Sequence, residues 1–330
     1  MSKRIHVLIN GEKFGPYPEA EFRQHLADTK ILFSDLAWRE GLSDWIAAGE
    51  LLARLEAEET VAPAPSLFEQ TKAAAAFGDP EQQFRLALLF EKGEHAPRDP
   101  TEAMAWLRRA ASQDHALAQF QLSLLLAVPS AAPKEQAESL QWLARAAQQG
   151  HAEAQYALGL RHINGHGAPR DDAEAFKWFG AAAAQGHAVA QCSLAVLHDQ
   201  GRGTPQNDAQ ALHWYRTAAE RGDAIAQNNL GLMLAAGQGV PKNEGEAARW
   251  FRQAAAQGVP GAQCNLGLLH ARGVGVPLDS VEAWQWFHLA AAQGHANAIK
   301  NRDLLAPTLT PEQLAEGQRR AAQFTARRAR

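Results

Sequence analysis

Three histidines share one register of the sequence, so a metal site is the first chemistry to consider. His162, His198 and His270 are separated by 36 and 72 residues, and each lies near the end of an apolar stretch with helical spacing. Imidazole is a common zinc ligand, and stacked copies of one position could surround a metal ion. Phe90 occupies the same register earlier in the chain, which favours a partly buried core position for ring side chains. The sequence therefore predicts no metal site and no cofactor.

Four Gly-x-Gly triplets invite comparison with phosphate-binding loops. They are Gly165-His166-Gly167, Gly201-Arg202-Gly203, Gly237-Gln238-Gly239 and Gly273-Val274-Gly275. A dinucleotide-binding loop carries a third glycine and lies between a strand and a helix. These triplets follow helical stretches and lack that glycine, so turn geometry explains them better. No serine or cysteine stands in a nucleophile elbow or beside a recurring base, and the sequence predicts no catalytic residue.

The elements that position these residues are copies of one helix hairpin. Tryptophan, proline and glutamine each recur every 36 residues within residues 78–293, which makes six units without an insertion. The tryptophans are Trp106, Trp142, Trp178, Trp214, Trp250 and Trp286. Each unit shows two apolar stretches of helical period separated by a break rich in glycine and proline. A single hairpin cannot bury its apolar face, so the pattern predicts stacked hairpins with a cap at each end.

Small and large side chains alternate in a way that predicts the core of this array. One first-helix register carries only small residues, namely Ala87, Ser123, Gly159, Ala195, Gly231 and Gly267. We predict that each tryptophan, together with the residue after it, is the large buried partner. Residues 66–77 resemble a lone second helix that begins with a capping box at Ser66. Residues 294–330 are predicted to contain a truncated repeat, a capping helix that begins at Thr310, and a basic tail.

The repeat pattern is similar to a known family. Gly231, Gly237 to Pro241, Trp250-Phe251, Ala254-Ala255 and Gly258 follow the spacing of the Sel-one-like repeat, a relative of the tetratricopeptide repeat. The second repeat departs from the pattern with Val128-Pro129-Ser130-Ala131 and Asp114, where we expect an altered turn. The resemblance implies a mainly α fold, a right-handed α-solenoid of six 36-residue hairpins whose concave face binds other proteins.

Residues 1–55 lack this period and are predicted to form a small α+β module. Ile5 to Ile9 followed by Asn10-Gly11 indicates a strand entering a hairpin, and Pro18 opens a short helix. Gly15-Pro16-Tyr17 and the segment from Trp38 to Trp45 resemble the second type of GYF domain. Its relatives hold proline-rich peptides on aromatic surfaces, which implies Tyr17, Trp38 and Trp45 as peptide-binding residues. The alternative is that both tryptophans form the core of a small domain.

Composition excludes several classes of function. The net charge of −4 provides no positive field that would recruit nucleic acid or an anionic membrane. No stretch approaches the roughly 18 apolar residues of a membrane span, and the first apolar run is too short for a secretory signal. Residues 56–65 are acidic and contain proline, which predicts a linker, and the arginine-rich tail is interpreted as a solvated helix end. We expect a cytoplasmic protein.

The function predicted from these features is that of a non-enzymatic adaptor with a protein or peptide partner. The candidate protein-binding positions share one first-helix register on the concave face, and are Arg85, Gln121, Ser193, Asn229 and Asn265. Their side chains could reach the backbone of a ligand, although any solenoid exposes such a row. The alternatives are an enzyme that acts on β-lactam or cell-wall compounds, and a purely structural spacer.

The enzymatic alternative comes from secreted relatives of the repeat family that bind or hydrolyse β-lactams and carry a cysteine pair in each repeat. Here Cys192 and Cys264 occupy one register two repeats apart. With stacked helices 8–10 Å apart, their separation should be about 20 Å, whereas a disulfide needs Cα atoms within roughly 7 Å. The cysteine framework of those relatives is therefore missing from this chain.

Overall fold

The fold was analysed in a computed structural model that describes residues 4–60, 66–95, 97–128, 132–166 and 169–328. Contacts divide the chain into two compact units, Met1–Gln70 and Thr71–Arg330. The predicted fold class is confirmed, since a small α+β unit precedes an α-solenoid built from helix hairpins. Each second helix of a hairpin packs against its own first helix and against the first helix of the next hairpin.

The amino-terminal unit is an antiparallel sheet covered on one face by helices. The elements are β1 (Ile5–Ile9), β2 (Glu12–Tyr17), α1 (Glu19–Ala27), β3 (Leu36–Arg39), β4 (Ile46–Ala47) and α2 (Ala48–Thr60). The strand order is β2-β1-β3-β4. Asn10 and Gly11 both have positive φ, as a two-residue hairpin turn requires. The core joins Ile5 and Val7 of β1 to Phe22 of α1 and Leu51 of α2, so the predicted strand, hairpin and first helix are confirmed.

Helix α2 continues into the segment that was predicted to be a linker. Leu55 is buried, and Glu56 lies 3.9 Å from Arg23 of α1. Glu56 and Ala57 are exposed, so the helix continues beyond its contacts with the core at Leu55. Residues 56–60 are therefore helical, and residues 61–65 lie outside the described part of the chain.

The array consists of α3 (Leu67–Ala76), six hairpins and a terminal segment. The first helices are α4 (Pro80–Lys92), α6 (Ala116–Leu126), α8 (Ala152–Asn164), α10 (Ala188–Gln200), α12 (Ala224–Ala236) and α14 (Pro260–Arg272). The second helices are α5 (Pro100–Ser112), α7 (Pro133–Gln148), α9 (Asp172–Ala184), α11 (Asp208–Glu220), α13 (Glu244–Ala256) and α15 (Ser280–Ala292). The terminal segment comprises α16 (Ala296–Leu305), a 3₁₀ turn (Ala306–Thr308) and α17 (Pro311–Arg328).

The small register packs against the residue that follows each tryptophan, which corrects the predicted burial of the tryptophans. A Cβ added at Gly159 would lie 2.5 Å from the ring of Phe179, which is 2% exposed. Trp178 is only half-buried, as are the tryptophans at the same position of the other repeats, except Trp286. Adjacent helix positions differ by about 100° around the axis, so only one of the two can point straight at the neighbouring helix. Several of these tryptophans instead lie at the edge of the core and donate a hydrogen bond to a glutamate of their own helix, as Trp106 Nε1 does to Glu102 at 3.0 Å.

The recurring glutamine of the first helix ties successive repeats together from within. Its Nε2 donates to a backbone carbonyl in the last turn of the preceding second helix, as from Gln155 to Ala147 at 3.1 Å. Its Oε1 accepts from a second glutamine 30 residues later, as from Gln185 to Gln155 at 2.8 Å. Buried polar groups need such partners, because an unpaired buried amide costs free energy. The sequence shows that this glutamine recurs every 36 residues, and the structure shows that it forms hydrogen bonds between successive helices.

The fourth repeat breaks this glutamine ladder. Arg221 stands where the other repeats from the first to the sixth carry the second glutamine, and its guanidinium donates to the Gly186 carbonyl instead. Gln191 Oε1 is buried and consequently has no hydrogen-bond partner among the described residues. In the fifth repeat, Gln257 donates both to Gln227 Oε1 at 2.9 Å and to the Gly222 carbonyl at 3.0 Å. A glutamine can therefore make both contacts at this position.

We expect Arg221→Gln to stabilise the protein by about 1 kcal/mol, because it restores one buried hydrogen bond without losing the contact to Gly186. The reciprocal change, Gln257→Arg, should destabilise the fifth repeat by a similar amount. Urea unfolding of the full chain, followed by circular dichroism, measures both. A lower urea midpoint for Arg221→Gln would contradict this explanation of the ladder.

The second repeat keeps its hairpin despite the altered loop. Asp114 adopts φ of +60°, where glycines stand at the other boundaries, and its carboxylate accepts from Gln119 at 3.3 Å. The buried hydroxyl of Ser139 donates to the Ser123 carbonyl at 2.7 Å. Residues 129–131 of the predicted altered turn lie outside the described residues.

Both predicted end caps are helical. Ser66 Oγ accepts from the Glu69 amide at 3.2 Å at the start of α3. Thr310 and Gln313 exchange hydrogen bonds between side chain and backbone at the start of α17, at 2.9 and 3.3 Å. In the arginine-rich tail, Arg319 and Arg320 both pair with Glu316, so the beginning of the tail belongs to a hydrogen-bonded helix.

Candidate interaction surfaces

The histidines that suggested a metal site pack against neighbouring residues of the array. Burial lowers the pKa of His198, whose ring packs edge-on against Phe176 at 5.1 Å, and His270 is 5% exposed with Nδ1 3.3 Å from the Pro277 carbonyl. Within the described residues, no group of three or more His, Cys, Asp or Glu side chains could hold a metal ion. His162 and His198 are half-buried and His270 is buried, which agrees with the partly buried ring position that the sequence favoured.

The Gly-x-Gly triplets connect neighbouring repeats. Gly201 ends α10 in the left-handed conformation, and a Cβ on Gly203 would overlap the backbone carbonyl of Asp172 at the start of α9. Between them, Arg202 binds the Asp172 carboxylate with two hydrogen bonds of 2.9 Å, which lowers the pKa of that carboxyl. Turn geometry and close backbone packing therefore explain these loops; Gly167 of the first triplet lies outside the described residues.

A second set of histidines caps the first helices. They are His115, His151, His187 and His295. Each ring is half-buried, and its Nδ1 accepts from the backbone amide three residues later. The first three rings also pack on an aromatic ring of the preceding first helix, as His151 does on Phe120 at 4.7 Å. An acceptor at Nδ1 requires a neutral imidazole, so these caps exist only in the deprotonated form.

Stability of the array should therefore fall as the pH drops below about 6.5. Burial lowers the pKa of His151, His198 and His288, so the unfolded chain binds more protons than the folded chain between these lowered values and the ordinary value near 6.5. The stabilisation is fully present above that value and is lost as the pH falls through the folded pKa values. Melting temperatures between pH 7.5 and 5 should show this decline, and it should be smaller in His151→Asn, which keeps a neutral cap. An equal or larger decline in that variant would contradict the assignment.

Hydrogen bonds link only some of the residues in the predicted first-helix row. Asn229 accepts from Asn228 at 3.1 Å, and Asn265 donates to Asn228 at 3.2 Å, so two predicted residues meet through a third that the sequence did not single out. The Ser193 hydroxyl donates to a carbonyl of its own helix, Val189, at 2.9 Å.

The other two row positions have separate surroundings. Arg85 forms an exposed ion pair with Glu81 at 2.8 Å, and Gln121 is half-buried. The connected part of the row therefore lies toward the carboxyl end of the array.

A groove opens at that end, between the first helices α12 and α14 and helix α16. Its volume is about 470 Å³, and four asparagines line it. Asn265 belongs to the predicted row, and Asn301 continues the same register one unit later. The 36-residue interval could have revealed Asn301, whereas Asn228 and Asn297 belong to other registers and were missed.

The aromatic candidates of the amino-terminal unit lie on two faces of its sheet. Tyr17 pairs with buried Ile5, and its ring meets His25 of α1 edge-on at 5.1 Å. Trp38 pairs with His6 on the opposite face, since side chains alternate along a strand. The two groups are thus separated by the sheet.

The open face of the sheet, defined here by His6, Lys13, Trp38 and Trp45, carries two of the three aromatic candidates. Trp38 Nε1 donates to the Leu42 carbonyl at 3.0 Å, and its ring lies 6.1 Å from His6. Lys13 Nζ lies 5.8 Å from the centre of the Trp45 ring. Both tryptophans are half-buried, and the sequence did not single out His6 or Lys13 because their position depends on strand register.

Neither cysteine is available for a disulfide. Cys192 and Cys264 are free thiols in buried positions, and burial raises the pKa of both. A raised pKa suppresses the thiolate, which is the reactive form. Within the described residues, no helix combines the length and apolar character that crossing a bilayer requires.

Comparison with family profiles accounts for both units. The profile described as Sel1 repeat matches six consecutive segments, which are residues 80–115, 116–151, 152–187, 188–223, 224–259 and 260–295. The profile described as GYF domain 2 matches residues 6–52. A comparison with curated proteins finds no match.

Two solved structures resemble the array. One is c5321, a protective antigen present in uropathogenic Escherichia coli strains that displays an SLR fold, with 32% identity over 78% of this chain and a TM-score of 0.69. This chain spans only 55% of the length of that protein. The other is a Sel1 repeat protein from Oxalobacter formigenes, with 31% identity, coverage of 78% of this chain and 76% of that one, and a TM-score of 0.58.

These similarities agree with the hairpin packing and the small register described above. Sel1 repeats and GYF domains are protein-interaction modules, and the Sel1 repeat is generally a non-catalytic fold. The match over residues 80–295 and the shared fold of its relatives show that the chain belongs to the Sel1 repeat family and carries a GYF domain 2 ahead of the repeats.

Proposed function

We propose that this protein is a non-enzymatic adaptor whose repeat array holds an extended segment of a protein partner. The observation that carries the proposal is the asparagine network of Asn228, Asn229 and Asn265, which belongs to two successive first helices. Asn228 and Asn265 of this network line a groove together with Asn301. An asparagine amide offers both a donor and an acceptor, as a peptide unit does. Such side chains can satisfy the backbone of a bound segment.

The spacing of the helices suits an extended ligand. Successive first helices are expected roughly 8–10 Å apart, and an extended chain rises about 3.3 Å per residue. About every third residue of the ligand would then contact the row residue of the next first helix. The rest of the row, Arg85, Gln121 and Ser193, would contact the same ligand farther along the array.

The proposal places the adaptor in the cytoplasm. Two buried free thiols, Cys192 and Cys264, are typical of a protein that works in a reducing compartment, because thiols there stay unpaired.

Site-specific photo-crosslinking in living cells tests the array proposal. A photo-reactive residue at Leu232, which lines the groove and is 45% exposed, should capture a discrete protein. The same residue at Arg252, an exposed position of the second helix α13, is the matched control. Capture from both positions alike, or from neither, would contradict a partner held on the first helices and would favour a structural spacer.

We further propose that the amino-terminal unit binds a proline-rich peptide on the open face around Trp38 and Trp45. Ring faces pack well against pyrrolidine rings, and the stiff polyproline helix loses little entropy on binding. Tyr17 packs on the helix side of the sheet, so in this proposal it supports the core beneath Ile5.

A titration of the full chain with proline-rich peptides should shift the indole N–H resonances of Trp38 and Trp45. The affinity should be weak, in the range of about 0.1–1 mM, because the surface is shallow and few side chains are engaged. Trp45→Ala should weaken binding, whereas Tyr17→Phe should leave it unchanged. Unchanged indole resonances at millimolar peptide, or equal losses in both variants, would assign the tryptophans to the core alone.

A further inference from the structure

The groove between α12, α14 and α16 has a positively charged lining. Arg272 and Lys300 line it together with the asparagines, and no Asp or Glu is among its lining residues. Both cations are exposed, and neither forms an ion pair with a described carboxylate. The groove thus presents positive charge that the rest of the described chain does not neutralise.

Several basic side chains on other helices of the array are paired, in contrast to Arg272 and Lys300. Arg85 binds Glu81, Arg202 binds Asp172 and Arg216 binds Glu246, at distances of 2.8, 2.9 and 3.2 Å. The unpaired cations of the groove also contrast with the net charge of −4 for the whole chain. A cationic groove on an acidic protein attracts an anionic ligand locally, while the overall charge opposes general binding of anions.

The amide groups beside these cations limit the kind of anion that fits. Asn265 and Asn228 are already joined by a hydrogen bond of 3.2 Å, which orients both amides at the groove wall. Asn297 and Asn301 are contributed by α16, on the opposite side of the groove from α12. A ligand that offers peptide groups and carboxylates would match amides and cations at once.

We infer that this groove binds an acidic, extended segment of a protein partner, with Glu or Asp side chains directed to Arg272 and Lys300 and the backbone directed to the asparagines. The inference rests on the proposed adaptor function and adds the chemistry of the partner. Six groove residues would determine the specificity for an acidic segment: Asn228, Asn265, Arg272, Asn297, Lys300 and Asn301.

A nucleic acid fits the same charges less well. Nucleic-acid sites use several cations to neutralise phosphates and aromatic rings to stack on bases. This groove has two such cations, and no Phe, Tyr or Trp is among its described lining residues. An oligonucleotide is therefore the competing ligand in the test.

The test measures binding of labelled peptides to the full chain by fluorescence anisotropy at low salt. The probe is a twelve-residue peptide of alternating Glu and Ser with blocked ends, and its counterpart carries Gln in place of Glu. We expect the Glu peptide to bind at least fivefold more tightly than the Gln peptide. Arg272→Gln combined with Lys300→Gln should abolish most of that difference, whereas Arg249→Gln combined with Arg252→Gln on α13 should change it less than twofold.

Several outcomes would overturn the inference. They are equal affinity for the two peptides, equal losses in the two double variants, no binding of the Glu peptide at millimolar concentration, and tighter binding of a twelve-nucleotide deoxythymidine probe. If Leu232 still captures a partner in cells while any of these holds, the adaptor function stands and only the acidic specificity fails. If no partner is captured, the adaptor function itself fails.

Discussion

Phe179→Ala is expected to destabilise the array by about 3–5 kcal/mol, which is the usual cost of removing a fully buried aromatic side chain. Phe179 is 2% exposed, and its ring fills the space that Gly159 leaves open on α8. The adjacent Trp178 is half-buried and should cost less on the same substitution. Because each repeat is stabilised by its neighbours, a cavity in a central repeat weakens its contacts on both sides.

Urea unfolding of the full chain, followed by circular dichroism, measures this difference. Arg170→Ala is the surface control, since its side chain is 65% exposed and lies 3.6 Å from Asp172; its effect should stay within about 0.5 kcal/mol. A larger loss from Trp178→Ala than from Phe179→Ala would show that the buried face has been assigned to the wrong residue.

Gly203→Ala is expected to destabilise the protein by about 2–5 kcal/mol, because two costs act together. The residue has φ of +67°, which an L side chain adopts only with strain. A Cβ would also overlap the backbone carbonyl of Asp172 in the preceding repeat, where no flexible side chain can move aside.

Gly222→Ala separates these two costs. It has φ of +94° but no atom within 4 Å of an added Cβ, so it carries the backbone strain alone. Thermal unfolding of both variants should show the larger loss for Gly203→Ala. Equal losses would mean that the contact between the loop and α9 contributes little to the stacking of repeats.

The strict period made the hairpins predictable, but it could not distinguish neighbouring positions within a helix. Trp178 and Phe179 are both large and apolar, and large side chains recur every 36 residues at both positions, so the sequence could not show which one faces the small register. The capping histidines were missed for a different reason. Their register also contains Asp79 and Asp223, which are good capping residues, and this signal was available in the sequence.

The candidate sites depended on geometry that a linear sequence does not contain. Tyr17 and Trp38 belong to different faces because an irregularity in β2 changes its register between Ile5 and Val7 of the partner strand. The groove combines residues from helices that are 36 residues apart along the chain, and the positions of Arg272 and Lys300 beside Asn265 follow from helix packing. The sequence could indicate the Asn229 and Asn265 register, but not the charges that surround it.

Helix α17 has a consequence for self-association. In the last hairpin, the ring of Trp286 meets Phe324 of α17 at 5.3 Å, Trp284 packs against Gly317, and both tryptophans are at least 94% buried. A repeat array has an intrinsic capacity to grow end to end, because its last hairpin presents an apolar surface to any further copy, and contacts of that kind do not close into a ring. By covering these two indoles, α17 occupies the apolar surface through which this hairpin would otherwise bind a further copy.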